Sequence, residues 1–195
     1  MRDLKMVDPE FFIIKNFLDD YTCKSLIKIL DNKITDGEAS EAGVLSGVSS
    51  IKNKTQRDTD LLFLSPDSML GTIFFYAAKT INCDLKWNFD IDQTESIQLL
   101  RYNIGGFYVP HIDVLPTYVR GKQRKVSIGV SLNDPSEYIG GEFRIYPTSQ
   151  KDHIDFRLPK GDAIAFPSFL CHEVRPVLNG VRYSSTAWIE GPNWR

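Results

Sequence analysis

Cysteine is scarce in this sequence, and its few occurrences are far apart. The 195 residues include three cysteines, Cys23, Cys83 and Cys171. An odd number at such wide spacing predicts neither a disulfide framework nor a structural zinc site of the CxxC kind. We therefore expect a reducing, cytoplasmic setting.

Long apolar runs and an excess of charge of either sign are also missing. No stretch approaches the roughly 18 uninterrupted apolar residues of a membrane span, and residues 1–10 lack the apolar core of a signal peptide. The formal net charge is -2 at pH 7. Such a charge gives no whole-molecule reason to expect nucleic acid or a membrane surface as a partner. The sequence leaves the oligomeric state open.

The composition that remains is that of a globular protein. Hydrophobic residues make up 42% of the chain and charged residues 25%. A chain of this length is long enough for one domain with a sizeable core and short for two. We predict a single domain over residues 1–195, in which 1–95 supply helical support and a flexible loop and 96–190 form the core.

Two amphipathic helices are predicted in the first half. The first follows an aspartate cap at Asp19 or Asp20, and its apolar residues recur at helical spacing. The second has Ser65 as its cap and Pro66 at its first position, and its apolar pattern continues to Ile81. Between the helices, residues 36–50 are rich in Gly, Ala, Ser and Glu without a period. This composition favours a mobile loop.

From about residue 96 the pattern changes to short runs of β-branched and aromatic residues separated by turn signals. Helices followed by many short strands favour an α+β protein whose second part is a sandwich or barrel. The predicted strands are Ile97–Tyr102, Val126–Leu132, Glu142–Tyr146, Asp155–Leu158, Ala163–Phe166 and Tyr183–Glu190, with an earlier one at Phe11–Ile14.

Histidine is also rare, and two of the three histidines suggest a metal site. His111 and Asp113 stand two positions apart, so on an extended segment their side chains point to the same side. His172 follows the predicted strand 163–166 through a turn. Together they would make a facial 2-His-1-carboxylate set, which leaves three positions of an octahedral metal open. Two solvated polar residues in a loop are the alternative for an isolated HxD pair.

The third histidine belongs to a second HxD pair, His153 and Asp155. A polar stretch precedes it, and no apolar run leads into it. We interpret this pair as the exposed start of a strand, although the sequence does not exclude His153 from a metal site.

The segment LRYNIGGFYVPHID at 100–113 resembles the iron-binding strand of the prolyl 4-hydroxylase-like branch of the 2-oxoglutarate/Fe(II) oxygenases. Further motifs follow in the family's order, namely GGEF at 140–143, GDAIAFP at 161–167 and CHEV at 171–174. The resemblance covers residues 96–188. It implies a double-stranded β-helix, or jelly roll, with N-terminal supporting helices. It also implies Fe(II) at His111, Asp113 and His172, with 2-oxoglutarate and O2 as cosubstrates.

The same resemblance implies a cosubstrate site. Arg182 lies where the family has a basic residue for the distal carboxylate of 2-oxoglutarate, and a guanidinium offers a carboxylate paired donors. Ser184 would add a hydroxyl, and Tyr102 lies where relatives have a tyrosine that binds the cosubstrate. Ser131 stands where some prolyl hydroxylases have a second tyrosine. The alternatives are a surface ion pair for Arg182 and a plain core position for Tyr102.

For the substrate we single out Tyr108, Arg120, Arg124 and Trp188. The basic stretch 114–125 is either a solvated connection or a functional loop, which could select an acidic or phosphate-bearing substrate or act as a lid. Trp188 is equally compatible with a core position.

The resemblance implies hydroxylation of a prolyl residue in a protein or peptide. Three alternatives stay open: hydroxylation of a small molecule, demethylation of nucleic acid, and a non-catalytic jelly-roll binding module. Nucleic acid is disfavoured by the acidic net charge and by Trp188, where the demethylases have an arginine.

Overall fold

The computed structural model describes residues 10–37, 40–41, 43–46, 49–52, 55–114, 121–148 and 152–194. Within them the α-helices are α1 (Asp20–Thr35) and α2 (Met69–Asp84), and a short 3-10 helix spans Pro135–Glu137. The strands are β1 (Phe12–Ile14), β2 (Ser40–Glu41), β3 (Gly43–Ser46), β4 (Ser49–Lys52), β5 (Arg57–Asp58), β6 (Asp60–Leu64), β7 (Gln93–Thr94), β8 (Ile97–Tyr102), β9 (Phe107–His111), β10 (Lys122–Ser131), β11 (Tyr138–Gly140), β12 (Phe143–Tyr146), β13 (Ile154–Phe156), β14 (Ala163–Pro167), β15 (Cys171–Val174), β16 (Val177–Gly180) and β17 (Arg182–Pro192).

Most of these strands form two antiparallel sheets. In the major sheet the order is β1-β14-β10-β17-β8-β6-β2, and β7 pairs with β17. In the minor sheet the order is β13-β12-β15-β9-β5. The pairs β3–β4 and β11–β16 stand apart from both sheets. This arrangement confirms the predicted α+β, mainly β, class.

The strand β8 shows how the layers are arranged. Ile97 and Leu99 are fully buried in the cluster that includes the inner faces of α1 and α2. Leu100 and Tyr102 instead pack with Val174 of the minor sheet. Because side chains alternate along a strand, one face of the major sheet supports the helices and the other faces the minor sheet. The interior between the two sheets is therefore available for a site.

The helix predictions hold, with one boundary corrected. Asp19 caps α1 and accepts a hydrogen bond from the backbone N–H of Thr22 at 2.7 Å. The predicted start of the second helix at Ser65 and Pro66 is wrong, because Ser68 is the cap and its hydroxyl accepts from the N–H of Gly71. Ser65 instead begins a turn, in which its carbonyl accepts from the N–H of Ser68. Neither described helix is long and apolar enough to cross a membrane.

Two stretches predicted as loops contain strands. The stretch 36–50 contains β2 and β3 and the start of β4. Strand β10 begins at Lys122, so Lys122, Arg124 and Lys125 belong to the sheet and not to a basic loop. A β-bulge between Arg124 and Val126 interrupts the pairing there. Backbone hydrogen bonds can stabilise such segments without an apolar pattern, which explains why the sequence did not predict them.

Candidate metal centre and cosubstrate pocket

Three predicted ligands converge at one end of the minor sheet. His111 ends β9 and His172 lies on the neighbouring β15, where the two residues are directly paired. Asp113 follows β9 by two residues. Its carboxylate oxygens lie 3.7 Å from Nε2 of His111 and 3.4 Å from Nε2 of His172. The three ligand atoms thus lie within 4.8 Å of one another, close enough for one ion.

Backbone carbonyls orient both imidazole rings. Nδ1 of His111 lies 2.8 Å from the carbonyl oxygen of Val109, and Nδ1 of His172 lies 2.9 Å from that of Leu170. A carbonyl oxygen only accepts hydrogen bonds, so each Nδ1 carries the proton. In each ring Nε2 keeps its lone pair and faces Asp113, as a metal ligand requires.

The pKa values of His111 and Asp113 also favour the binding of a cation. Burial and the neighbouring His172 lower the pKa of His111 to about 3, so its ring is neutral at physiological pH. Burial raises the pKa of the Asp113 carboxyl, but His172, His111, Arg124 and the Ser127 hydroxyl lower it by more. A buried carboxylate beside two imidazoles is the donor set of non-haem Fe(II) centres, so the residues present fit Fe(II).

His153 does not join this site. Its side chain is 44% exposed and lies 4.0 Å from Asp155. Within the described residues, the only cluster of three or more metal-ligating side chains is that of His111, Asp113 and His172.

The predicted cosubstrate residues line a cavity next to the metal ligands. Arg182 begins β17, pairs with Tyr102 of β8, and is only 8% exposed. Its Nη1 donates to the Ser184 hydroxyl at 3.0 Å. No Asp or Glu among the described residues lies within ion-pairing distance of its guanidinium. The described residues therefore give no support to the surface-pair alternative, and a buried cation without a carboxylate partner among them fits an anionic ligand.

Strand β10 also contributes residues to the lining of this cavity. Gly129 and Ser131 line it together with Tyr102, and Gly129 and Tyr102 also line the cavity beside the metal ligands. A methyl group built on Gly129 would meet only one side-chain atom, of Ile164, at 3.9 Å. The glycine therefore leaves room where any larger side chain would extend into the cavity. Ser131 donates to the carbonyl of Asn133 at 3.1 Å and can still accept a hydrogen bond.

The predicted substrate residues have different surroundings. Tyr108 stacks on His111, with the ring centroids 3.5 Å apart. Trp188 lines the metal cavity, and its buried Nε1 has no hydrogen-bond partner among the described residues. Arg124 lies over the Trp188 ring at 3.7 Å and donates two hydrogen bonds to Glu95, so its charge is already balanced. Arg120 lies outside the described residues.

One further residue at the metal cavity, Arg57, was not predicted from the sequence. Arg57 on β5 is only 5% exposed, lies over the Tyr108 ring at 4.6 Å, and donates to the side chain of Gln98. Its Nε has no partner among the described residues. The signal in the sequence was weak, because β5 has two residues and follows a polar stretch. Only pairing with β9 brings Arg57 to the site.

Comparison with known sequences identifies the segment that carries this site. The 2OG-Fe(II) oxygenase superfamily matches residues 97–190. A PKHD-type hydroxylase of Stenotrophomonas maltophilia is 38% identical over 93 residues, which are 46% of this chain and 40% of that protein. One of Synechococcus is 35% identical over 100 residues, covering 51% of this chain and 44% of that protein. The chain thus spans about two fifths of the length of these relatives.

Solved structures share the fold over most of the chain. A prolyl-4-hydroxylase of Pseudomonas putida superposes with a TM-score of 0.69 at 22% identity, covering 92% of each chain. The viral collagen prolyl hydroxylase of Paramecium Bursaria Chlorella virus-1, in a 2OG complex, gives 0.69 at 22% identity, with coverage of 93% of this chain and 96% of that chain. A Trichoplax adhaerens prolyl hydroxylase with a hypoxia-inducible-factor peptide gives 0.68 at 22% identity over 92% of this chain and 83% of that chain.

The sequence match and the shared fold agree with the three ligands and the buried arginine. The predicted double-stranded β-helix is confirmed, and Fe(II) and 2-oxoglutarate are the cofactor and cosubstrate that give the family its name. Residues 97–190, which contain all three metal ligands and the buried arginine, are thus similar to the 2OG-Fe(II) oxygenase superfamily.

Proposed function

We propose that this protein is a 2-oxoglutarate-dependent dioxygenase in which His111, Asp113 and His172 bind Fe(II). One observation carries the proposal: a buried three-ligand cluster lies beside a buried arginine that has no counter-ion among the described residues. Together, these two features provide for both a metal ion and an anionic cosubstrate, which a dioxygenase of this kind requires. When bound, Fe(II) supplies the chemistry in which O2 oxidises 2-oxoglutarate to succinate and CO2 and hydroxylates a C–H bond of the substrate.

The chain's own residues bind and orient the cosubstrate. Arg182 and the Ser184 hydroxyl bind its distal carboxylate, and Tyr102 and Ser131 line the same cavity. Burial of Arg182 removes competing water from this ion pair and strengthens it. Apolar side chains of both sheets, such as Leu100 and Val174, exclude water from the rest of the cavity.

For the substrate we favour a prolyl residue in a protein or peptide. The likeness to prolyl hydroxylases supports this choice, and one of those structures holds a peptide. The free Nε of Arg57 beside Tyr108 offers a donor to a peptide carbonyl. Arg124 is satisfied by Glu95, which gives little support to selection of an acidic or phosphate-bearing substrate. Roles for Tyr108, Arg124 and Trp188 in substrate binding remain predictions.

The free state of all three cysteines supports a reducing environment. We therefore keep the cytoplasm as the proposed location of the protein.

Turnover of 2-oxoglutarate tests the reaction class. The full chain, loaded anaerobically with Fe(II) and 2-oxoglutarate, should form succinate after O2 is added, and the rate should rise with a peptide that contains proline. The matched peptide with alanine in place of proline is the control. His172→Ala should abolish succinate formation and His153→Ala should not. Iron-loaded protein that binds no 2-oxoglutarate would instead support the binding-module alternative.

Hydroxylation of the peptide tests the substrate separately. A gain of one oxygen atom on proline, detected by mass spectrometry, is the expected result. Succinate formation without oxidation of any proline peptide would leave the dioxygenase in place and exclude a prolyl substrate.

A further inference from the structure

Among the three predicted metal ligands, Asp113 is the one that does not lie on a strand, so backbone pairing does not fix its position. His111 and His172 lie on paired strands, whereas Asp113 follows the end of β9 and lies outside the sheet. Its side chain is 5% exposed. A carboxylate in a short loop needs contacts from elsewhere in the fold to hold it in a ligating orientation.

Those contacts come from two fully buried serines. Ser127 on β10 donates from its hydroxyl to Oδ2 of Asp113 at 2.7 Å. Its oxygen lies 2.9 Å from the hydroxyl of Ser168, and both serines are 0% exposed. Because Ser127 has one proton and uses it on a carboxylate, the Ser168 hydroxyl must donate to Ser127. The three side chains thus form one directed chain of hydrogen bonds.

Backbone hydrogen bonds of Ser168 connect its turn to the loop of Asp113 and to strand β10. The Ser168 carbonyl accepts from the N–H of Asp113 at 2.8 Å, and its own N–H donates to the carbonyl of Lys125 at 3.0 Å. Ser168 lies in the turn between β14 and β15, directly before the strand of His172. The serine pair therefore links the aspartate ligand, the central strand β10 and the turn that leads to the second histidine.

We propose that Ser127, supported by Ser168, is a positioning residue that holds the Asp113 carboxylate in the orientation that binds the metal. Oδ1 of Asp113 keeps its lone pairs for the ion, while Oδ2 is held by Ser127. Loss of the Ser127 hydroxyl leaves a buried carboxylate oxygen without this donor and frees the side chain to rotate. This inference rests on the metal-ligand assignment made in the proposed function.

Affinity for Mn(II), an air-stable stand-in for Fe(II), measured by calorimetry on the full chain, tests the inference. Ser127→Ala should raise the dissociation constant about 10–100-fold, the usual effect of removing a hydrogen-bond partner of a ligand. Ser127→Thr keeps the hydroxyl and should bind close to the parent value. Ser168→Ala, which removes only the donor to Ser127, should have a smaller effect in the same direction.

Ser185→Ala is the matched control. Ser185 is also fully buried in the major sheet, and its hydroxyl has no partner among the described residues. The metal-free variants should melt at similar temperatures. Equal losses of Mn(II) affinity in Ser127→Ala and Ser185→Ala would attribute the effect to general packing and overturn the positioning role. If Ser127→Ala does not fold, Ser127→Cys, a weaker donor of similar size, takes its place, and a smaller loss of Mn(II) affinity in the same direction is expected.

Asp113→Ala distinguishes a failure of the positioning role from a failure of the metal-ligand assignment on which that role rests. If Asp113→Ala binds Mn(II) as tightly as the parent protein, the metal-ligand assignment itself is wrong. If Asp113→Ala loses the metal while Ser127→Ala keeps full affinity, the assignment stands and the positioning role does not.

Discussion

At the scale of single residues, the interior of the barrel contains two arginine charges that no carboxylate of the described residues neutralises. Arg182 and Arg57 are both at least nine-tenths buried, and neither has an acidic partner among the described residues. Burying a cation without an anion is costly, so such residues are retained where a ligand completes them. The two arginines lie in adjoining cavities, and we assign Arg182 to the cosubstrate and Arg57 to the substrate.

Replacing Arg182 should weaken cosubstrate binding much more than metal binding. Arg182→Gln removes a charge-assisted pair, and such hydrogen bonds contribute about 1.5–3 kcal/mol each. We expect the dissociation constant of 2-oxoglutarate to rise about 10–100-fold in calorimetry with Mn(II)-loaded protein. Arg144→Gln is the control, since Arg144 pairs with Asp155 away from the cavity. Unchanged 2-oxoglutarate affinity in Arg182→Gln would exclude the assignment of Arg182.

Larger side chains at Gly129 should partly fill the cavity and so test whether 2-oxoglutarate binds there. Its surroundings accept a methyl group without a clash, so Gly129→Ala should leave the melting temperature nearly unchanged. Gly129→Val extends further into the cavity and should raise the KM for 2-oxoglutarate more than the alanine variant does. Retained Mn(II) affinity in both variants would localise the effect to the cosubstrate. A valine variant with the parent KM would show that the cosubstrate lies elsewhere.

At the scale of the elements, a cluster of polar side chains joins α1 to β8 and β17, the two strands that carry three of the predicted cosubstrate residues. Tyr183 donates to Asp31 of α1 at 3.0 Å, and Arg101 bonds both Asp31 and Asp60. Arg101 and Tyr183 are directly paired, and each adjoins a predicted cosubstrate residue on its strand. Helix α1 thus supports the site from the opposite face of the major sheet.

Tyr183 also predicts how stability changes at alkaline pH. Burial, the hydrogen bond to Asp31 and the charge of Asp31 raise the pKa of Tyr183 to about 12, from 10.0 for an ordinary tyrosine. A raised pKa in the folded state contributes stability that is complete below pH 10 and is lost as the pH rises towards 12. Urea unfolding between pH 8 and about 11 should therefore show a declining free energy of unfolding.

The decline should be shallower in Tyr183→Phe, which should also be less stable by about 1–2 kcal/mol at neutral pH. Tyr108 has its pKa raised to about 12 as well, by burial, so part of the decline should persist. Tyr21→Phe, at an exposed position of α1, is the control. Identical slopes for Tyr183→Phe and the parent would contradict the role given to Tyr183.

Elements differed in how far the sequence predicted them. Strand β8 was predicted with its observed bounds, because an apolar run between turn signals was unambiguous. Lys122–Lys125 was predicted as a loop, because four polar or basic residues in a row have no strand pattern of their own. In the structure Arg124 and Lys125 lie over Trp188 and Trp194, a contact between distant residues that no local pattern contains. Arg57 was missed for the same reason, because only the pairing of β5 with β9 brings it to the site. His111 and Asp113 were predicted because they lie two residues apart, a pattern that is visible in the sequence.

At the scale of the whole molecule, binding of the metal and of 2-oxoglutarate should stabilise the fold, because the residues of both sites come from segments that are distant in the chain. The metal site and the cosubstrate cavity draw on β8, β9, β10, β15 and β17. A ligand that binds only the folded state adds about 2.7 kcal/mol at a concentration of 100 times its dissociation constant. Mn(II) with 2-oxoglutarate should therefore raise the melting temperature in a thermal shift experiment. Asp113→Ala should lose this rise, and an equal rise in that variant would contradict the site.

The position of β17 has a consequence for the synthesis of the protein. β17 lies in the middle of the major sheet, between β10 and β8, yet it follows both of them in the chain by a long way. While a ribosome makes the chain, β8 and β10 emerge with unpaired edges towards each other, and exposed edges of this kind promote aggregation. We expect the barrel to close only after β17 has emerged, so the nascent chain should depend on chaperones until its last central strand is available.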